Sequence, residues 1–213
     1  MAENEKIQKL IDDIIAEDKI TNEELKNMFE GYQCYMSKDE FGILVDNLFL
    51  ETTNDRMKII LNSRKGKMYS DYRDEYGDSI LNLFIVKAVR SQDKRNAINI
   101  LFDLIEDEEL ELKWDIINAN YENALHVVCL IANFLTKDEI LRFLNLFDKH
   151  DFNPFNKDDM NRNAISLFTL DNKHPKEESI EIVKKLEEMS KKFIIEVDNY
   201  VEDEVEVTVN AEV

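Results

Sequence analysis

Glycine is scarce in this 213-residue chain: four occur, Gly31, Gly42, Gly66 and Gly77, and no two lie close enough to build a phosphate-cradling loop. Dinucleotide folds and P-loops need closely spaced glycines where a strand turns into a helix, so both are excluded. Proline is scarcer still, with Pro154 and Pro175 alone, which leaves little to interrupt helices. Two cysteines, Cys34 and Cys129, are too few for a disulfide framework and read as reduced thiols of an intracellular protein. Apolar runs such as 127–132 fall far short of the ~20 residues of a membrane span, and the N-terminus Met1-Ala2-Glu3-Asn4-Glu5-Lys6 has no apolar signal segment. Basic residues are outnumbered, 27 against 46 acidic ones, for a formal net charge of −19. Nucleic acid and anionic membrane both need a basic surface, so neither is expected as the main partner. A partner protein with a basic surface remains, in the cytoplasm with access to the nucleus. The hydrophobic share of 44% is enough for a real core, in one domain of moderate size or a core domain with tails.

Helical periodicity dominates what is present. Capping boxes, a hydroxyl residue with Glu three positions on, recur at Thr21 with Glu24, Ser37 with Glu40 and Thr136 with Glu139. Ile98, Leu101, Phe102 and Ile105 follow the i, i+3, i+4, i+7 rule, as do Ile140, Phe143, Leu144 and Phe147. The helices also come in pairs. Leu81, Phe84, Ile85 and Ala88 precede the 98–105 helix, and Leu125, Val128, Cys129 and Ala132 precede the 140–147 helix. Ile165, Phe168 and Thr169 precede Ile180, Val183 and Leu186, and Val45, Leu48 and Phe49 precede Met57, Ile60 and Leu61 as a weaker copy. The first-helix anchors at 45, 81, 125 and 165 are spaced 36, 44 and 40 apart. A helix pair repeating at this period predicts a solenoid in which each unit buries its apolar face on its neighbours.

These segments resemble ankyrin repeats. The run Asp74-Glu75-Tyr76-Gly77-Asp78-Ser79-Ile80-Leu81-Asn82-Leu83 is similar to the signature D-x-x-G-x-T-P-L-H-x-A. Asn118 to Val127 keeps the Leu125-His126 pair, and Asp158 to Leu167 keeps the turn and the apolar anchor Ile165. Asp151-Phe152-Asn153-Pro154 resembles the turn that usually reads Gly-Ala-Asp-Pro. Ankyrin repeats run about 33 residues, so longer loops are expected near 91–94, 106–111 and Lys137. Within that family the stretch Gly77-Asp78-Ser79-Ile80-Leu81-Asn82-Leu83-Phe84-Ile85-Val86 looks like the repeat that opens the arrays of IκB-type inhibitors of NF-κB (Rel) factors. That resemblance implies an array that wraps a Rel dimer and masks its basic nuclear-localisation and DNA-binding surface. The Asp-Ser-Gly-x-x-Ser phosphodegron is absent from the chain. The resemblance therefore implies a constitutive inhibitor, like the short ankyrin proteins of insect-associated viruses that modulate host immunity.

The expected architecture is all-α: an N-terminal helical capping region over 1–36, an irregular ankyrin-repeat solenoid of about four degenerate repeats over 37–190, and an acidic C-terminal tail over 191–213. Like-charge repulsion in the tail favours a mobile segment, while its alternating valines allow an edge strand. Binding is expected on finger loops at 69–76, 113–120 and 152–159. The candidate partner-binding residues there are Asp71, Tyr72, Asp74, Trp114, Asp115, Asn118, Asn156, Asp158 and Asp159, with tail acids Glu202, Asp203, Glu204 and Glu206 reaching toward a basic groove. Tyr72 and Trp114 are the aromatic anchors, with packing against a neighbouring repeat the competing role for Trp114. The acids steer a basic partner more than they add affinity.

No catalytic constellation emerges, and neither a cofactor, a metal nor a small-molecule substrate is expected. His126, His150 and His174 are too dispersed for a ligand motif, and His126 is expected to bond backbone between repeats. Cys129 falls on a buried stripe. The acid-rich stretch 148–159 places His150 and Phe152 where a calcium loop needs oxygen ligands. The run 106–111 reads as an exposed acidic loop.

Overall fold

The computed structural model describes residues 2–31, 36–170 and 172–209, with side chains described for 5–31, 36–170 and 172–194. Cys34 lies outside them. Among the described residues the chain is all-helical. Eleven α-helices are joined by turns and one short 3-10 segment, Ala132–Phe134, and the only β pairing is an isolated bridge between Arg73 and Ser79. None of the described helices is long and apolar enough to cross a membrane. The chain divides into two compact units, 1–127 and 128–213, and the division falls inside a helix.

The first unit holds α1 (Ala2–Ile15), α2 (Asn22–Glu30), α3 (Lys38–Leu48), α4 (Asn54–Asn62), α5 (Arg64–Met68), α6 (Ile80–Arg90) and α7 (Lys94–Ile105). The capping boxes start α2 and α3: Thr21 Oγ1 accepts from Glu24 N, Ser37 Oγ accepts from Glu40 N, and each glutamate reaches back to the cap's N–H. Helix α6 packs along α7 as one hairpin. The upstream helices do not repeat that pairing. Helix α1 packs on α3, α2 on α4 and α5, and the block joins the hairpin through α3 on α6 and α4 on α7. The reason is visible at Arg56 of α4, which is buried and donates to the Ile14 and Ile20 carbonyls and to Asn22 Oδ1 at 3.1 Å. One guanidinium thus satisfies orphan acceptors at the end of α1 and in the loop to α2. Phe29, Phe41, Phe49, Phe84 and Phe102 fill the core, with Phe49 and Phe84 stacked at 4.0 Å. Each such ring contributes roughly 1.5–3 kcal/mol by leaving water.

Helix α8 (Ala124–Leu130) spans the division between units. The second unit continues with α9 (Lys137–Lys149), α10 (Ala164–Leu170) and α11 (Lys176–Val209). Thr136 and Glu139 form the predicted capping box of α9. Both α9 and α10 pack on α11. Phe147 lies 4.8 Å from Phe152, and Asp148 is held by Lys185 at 2.7 Å and Lys192 at 2.6 Å. Burial opposes ionisation of Asp148, but the two ammonium groups more than offset it and hold its carboxyl below the usual range. Burial pushes the Cys129 thiol up to about 12, which leaves it unreactive in the core.

Over the expected tail the backbone continues as α11 through Val209 in place of an edge strand, and residues 210–213 lie outside the described residues. No glycine or proline follows Pro175, so nothing in the backbone chemistry stops the helix. The side chains of Glu202, Asp203, Glu204 and Glu206 lie outside those described.

Candidate partner-binding surface

A single turn geometry occurs three times, opened by Asp74, Asn118 and Asp158. Asp74 Oδ1 accepts the N–H groups of Tyr76 (2.9 Å) and Asp78 (2.8 Å). Asn118 Oδ1 does the same for Asn120 and Glu122, both at 2.9 Å, and Asp158 Oδ1 for Met160 (3.0 Å) and Arg162 (2.8 Å). In each copy the opening N–H donates to the carbonyl four residues on, and the fourth residue's N–H donates back to the opening carbonyl. That fourth residue is left-handed every time: Gly77 at φ 83°, Tyr121 at 61° and Asn161 at 62°. Five residues after each opener sits a helix cap. Ser79 accepts from Asn82 N at 3.1 Å, Asn123 from His126 N at 3.1 Å, and Asn163 from Ser166 N at 2.9 Å. His126 is buried with its Nδ1 3.2 Å from Asn123 N and 2.8 Å from Asn123 Oδ1, so the imidazole closes the cap of its own helix.

The first two turns are latched together. Ala119 N donates to the Tyr76 carbonyl at 3.1 Å, and Asn118 Nδ2 donates to Asp78 Oδ1 and Glu122 Oε2, each at 3.0 Å. Arg73 adds a bond to the Ile117 carbonyl. A Cβ on Gly77 would stand 2.7 Å from Ala119 N, so glycine there serves both the left-handed turn and the close approach of its neighbour.

This geometry corrects several sequence-based candidates. Tyr72 is buried with its ring against Gly42 of α3, and burial pushes its phenol pKa up; it is a core residue and not a partner anchor. Asn118 and Asp158 are buried and Asp74 is half-buried, because an opener must fold its oxygen back onto its own turn. Burial opposes ionisation of Asp158, yet Arg162, with Nη2 at 2.7 Å, and the turn N–H groups hold its carboxyl below the usual range. Those oxygens are spent on structure. Asp71, Asp115, Asn156 and Asp159 do face outward, and Trp114 is half-buried. Asp71 is paired with Lys38 at 3.0 Å, which holds its carboxyl low. In the 106–111 run Glu106, Glu108, Glu109 and Glu111 are exposed, Asp107 is half-buried and Leu110 is buried. The run is tethered, with Asp107 2.5 Å from Lys58 and Glu111 2.9 Å from Lys67.

The turns instead present residues that the sequence reading did not select as anchors. Tyr76 is 67% exposed and Tyr121 61% in the first unit, and Met160 is 67% exposed in the second. They occupy the third or fourth place of the repeated turn, the places that point away from the opener, and the alignment of the three openers is the signal that finds them. Beside Tyr76 an open groove of about 750 Å³ is lined by apolar Leu50, Leu83 and Val86. Its charged rim carries Asp46, Glu51, Asp74 and Asp78 against Lys87 and Arg90. Lys87 is already engaged, donating to the Asp46 carbonyl and lying 3.7 Å from its carboxylate. Among the described residues no group of three His, Cys, Asp or Glu side chains is placed to hold a metal ion.

The described residues form an all-helical protein in which one turn geometry recurs three times and its first two copies are latched. No protein family, curated protein or solved structure matches the chain.

Proposed function

We propose that this chain is a non-catalytic protein-binding module of ankyrin-like repeats that docks a partner with a basic surface. The observation that carries the reading is the turn repeated at 74, 118 and 158, each copy followed five residues later by a helix cap. Such turns hold side chains clear of the stacked helices, where a partner can reach them. The acidic excess supports a basic partner through long-range attraction. An IκB-like role, sequestering a Rel factor by covering its basic nuclear-localisation and DNA-binding surface, is the specific form of the proposal. Titration of a purified Rel dimer with the intact chain, read by its release from labelled DNA, tests that form. Dissociation at micromolar concentration or below is expected, and no effect on DNA binding sinks the Rel assignment.

One observation favours a second reading, a general ankyrin-type adaptor or microbial effector with another host target. Ile80, Leu81, Asn82, Phe84 and Ile85, which carry the Rel resemblance, are all buried. They speak to packing more than to partner identity. Binding to another host protein that survives raised salt, together with failure to displace Rel from DNA, favours the adaptor.

A further inference from the structure

We propose that the groove beside Tyr76 takes a short arginine-bearing segment of the partner, and that Tyr76 and Tyr121 are the aromatic residues that hold it. This rests on the reading of the chain as a protein-binding module and adds the chemistry of what that module grips. Two large apolar side chains on this surface sit in left-handed backbone, Leu50 at φ 73° in the groove and Tyr121 at φ 61° on the adjoining turn. Bulky residues rarely adopt that conformation, because Cβ crowds the backbone. The other two copies of the turn place Gly77 and Asn161 there, residue types that tolerate it. Folding alone is better served by glycine at 121. What tyrosine adds is an exposed ring on a turn latched to the one bearing Tyr76.

The charges select the occupant. Four carboxylates line the groove against two cations. Lys87 is paired with Asp46, and one oxygen each of Asp74 and Asp78 is bonded within the turns, which leaves exposed Glu51 as the carboxylate for a guanidinium's fork. A guanidinium stacks flat on a phenol ring and forks onto a carboxylate, which a lysine ammonium does not do. Leu50, Leu83 and Val86 offer apolar contact to aliphatic side chains between the arginines. The hydrogen bonds that fix both turns mean that little ordering is left for binding to impose.

The experiment uses the intact chain and a fluorescein-labelled peptide of alternating Arg and Leu, with a Glu–Leu peptide as control, by anisotropy at about 0.15 M salt. The Arg–Leu peptide is expected to bind at least about tenfold tighter than its control. The double variant Tyr76→Ala with Tyr121→Gly keeps every charge and is expected to lose about tenfold or more. Asp46→Asn with Glu51→Gln is expected to lose about fivefold and to flatten the salt dependence, while Glu108→Gln with Glu109→Gln, the same charge removed from the exposed loop, stays within about twofold. Tyr121→Gly melts above Tyr121→Ala if the backbone there is strained as described. No binding of the Arg–Leu peptide overturns the proposal, as does a tyrosine variant that binds within about twofold of the parent, since attraction is then diffuse. Failure to displace Rel from DNA touches only the partner assignment and leaves this groove chemistry to stand or fall on the peptide.

Discussion

Asn118→Asp is the substitution that most sharply separates the hydrogen bonds from the sequence pattern. The equivalent openers are Asp74 and Asp158, so aligning the three turns recommends the change as harmless. Oδ1 would indeed keep its two bonds to Asn120 and Glu122 N–H groups. The other half of the amide decides the outcome. Its Nδ2 donates at 3.0 Å to both Asp78 Oδ1 and Glu122 Oε2, and a carboxylate oxygen in that place faces two others. Each lost bond to a charged acceptor costs about 1.5–3 kcal/mol. Repulsion between charges ~3 Å apart adds about 5 kcal/mol at an effective dielectric of ~20. Uptake of one proton near neutral pH costs about 4 kcal/mol for a carboxyl whose unfolded pKa is ~4 and restores only one of the two donors, so the expected destabilisation is about 5–7 kcal/mol. The shared proton raises the folded pKa of the new carboxyl above its unfolded value. A raised group contributes its stability at low pH and loses it as pH rises through the folded pKa, so the deficit should shrink toward acid. Urea unfolding followed by circular dichroism at about pH 7.5 and about pH 5 measures both effects. A variant within about 0.5 kcal/mol of the parent at the higher pH, or a deficit equal at both, would refute the reasoning.

Three further outcomes are expected. Arg56→Met keeps the buried stem but orphans the Ile14 and Ile20 carbonyls, and should cost about 3 kcal/mol in the same unfolding assay. Gly66→Ala drives a methyl into the Leu61 and Ile60 carbonyls, which are backbone and cannot swing aside; a loss of about 2 kcal/mol is expected despite the better helix propensity of alanine. Asp148 and Asp158 have folded pKa values below their unfolded ones, so their stabilisation is present above the unfolded pKa and disappears as pH falls through the folded value. Asp148→Asn should therefore unfold more easily at neutral pH and show a shallower loss on acidification, read from a pH series of denaturation midpoints.

How much was legible depended on how local the physics was. The capping boxes at Thr21, Ser37 and Thr136 involve partners three residues apart, and all three form as the sequence suggests. The α6–α7 hairpin follows equally from its apolar spacing. Tyr72 was misplaced because its burial depends on Gly42, thirty residues earlier, and nothing near 72 signals that contact. The interleaving of α1 to α4 depends on Arg56 reaching Ile14, again a distant pairing. Asp74 and Asp158 read as solvent-facing charges because an aspartate in a loop usually is one; that its oxygen would turn inward shows only when the three openers are compared. The exposure of Tyr76 and Tyr121 follows from that same turn, and Tyr121 stood out from sequence no more than any loop tyrosine.

The latch between the first two turns has a consequence for engineering. The openers at 74 and 118 are 44 residues apart and those at 118 and 158 are 40 apart, yet the turns are the same. The first two are held in register by the bonds that join them, from Ala119 N to the Tyr76 carbonyl, from Asn118 Nδ2 to Asp78 Oδ1 and from Arg73 to the Ile117 carbonyl. Glu108 and Glu109 lie on the exposed part of the chain between them. Lengthening a loop is entropically cheap, about 0.6 kcal/mol for each doubling. The acidic connection is therefore a natural splice point, where a fluorescent reporter or another folded domain can be inserted while the first two turns keep their places.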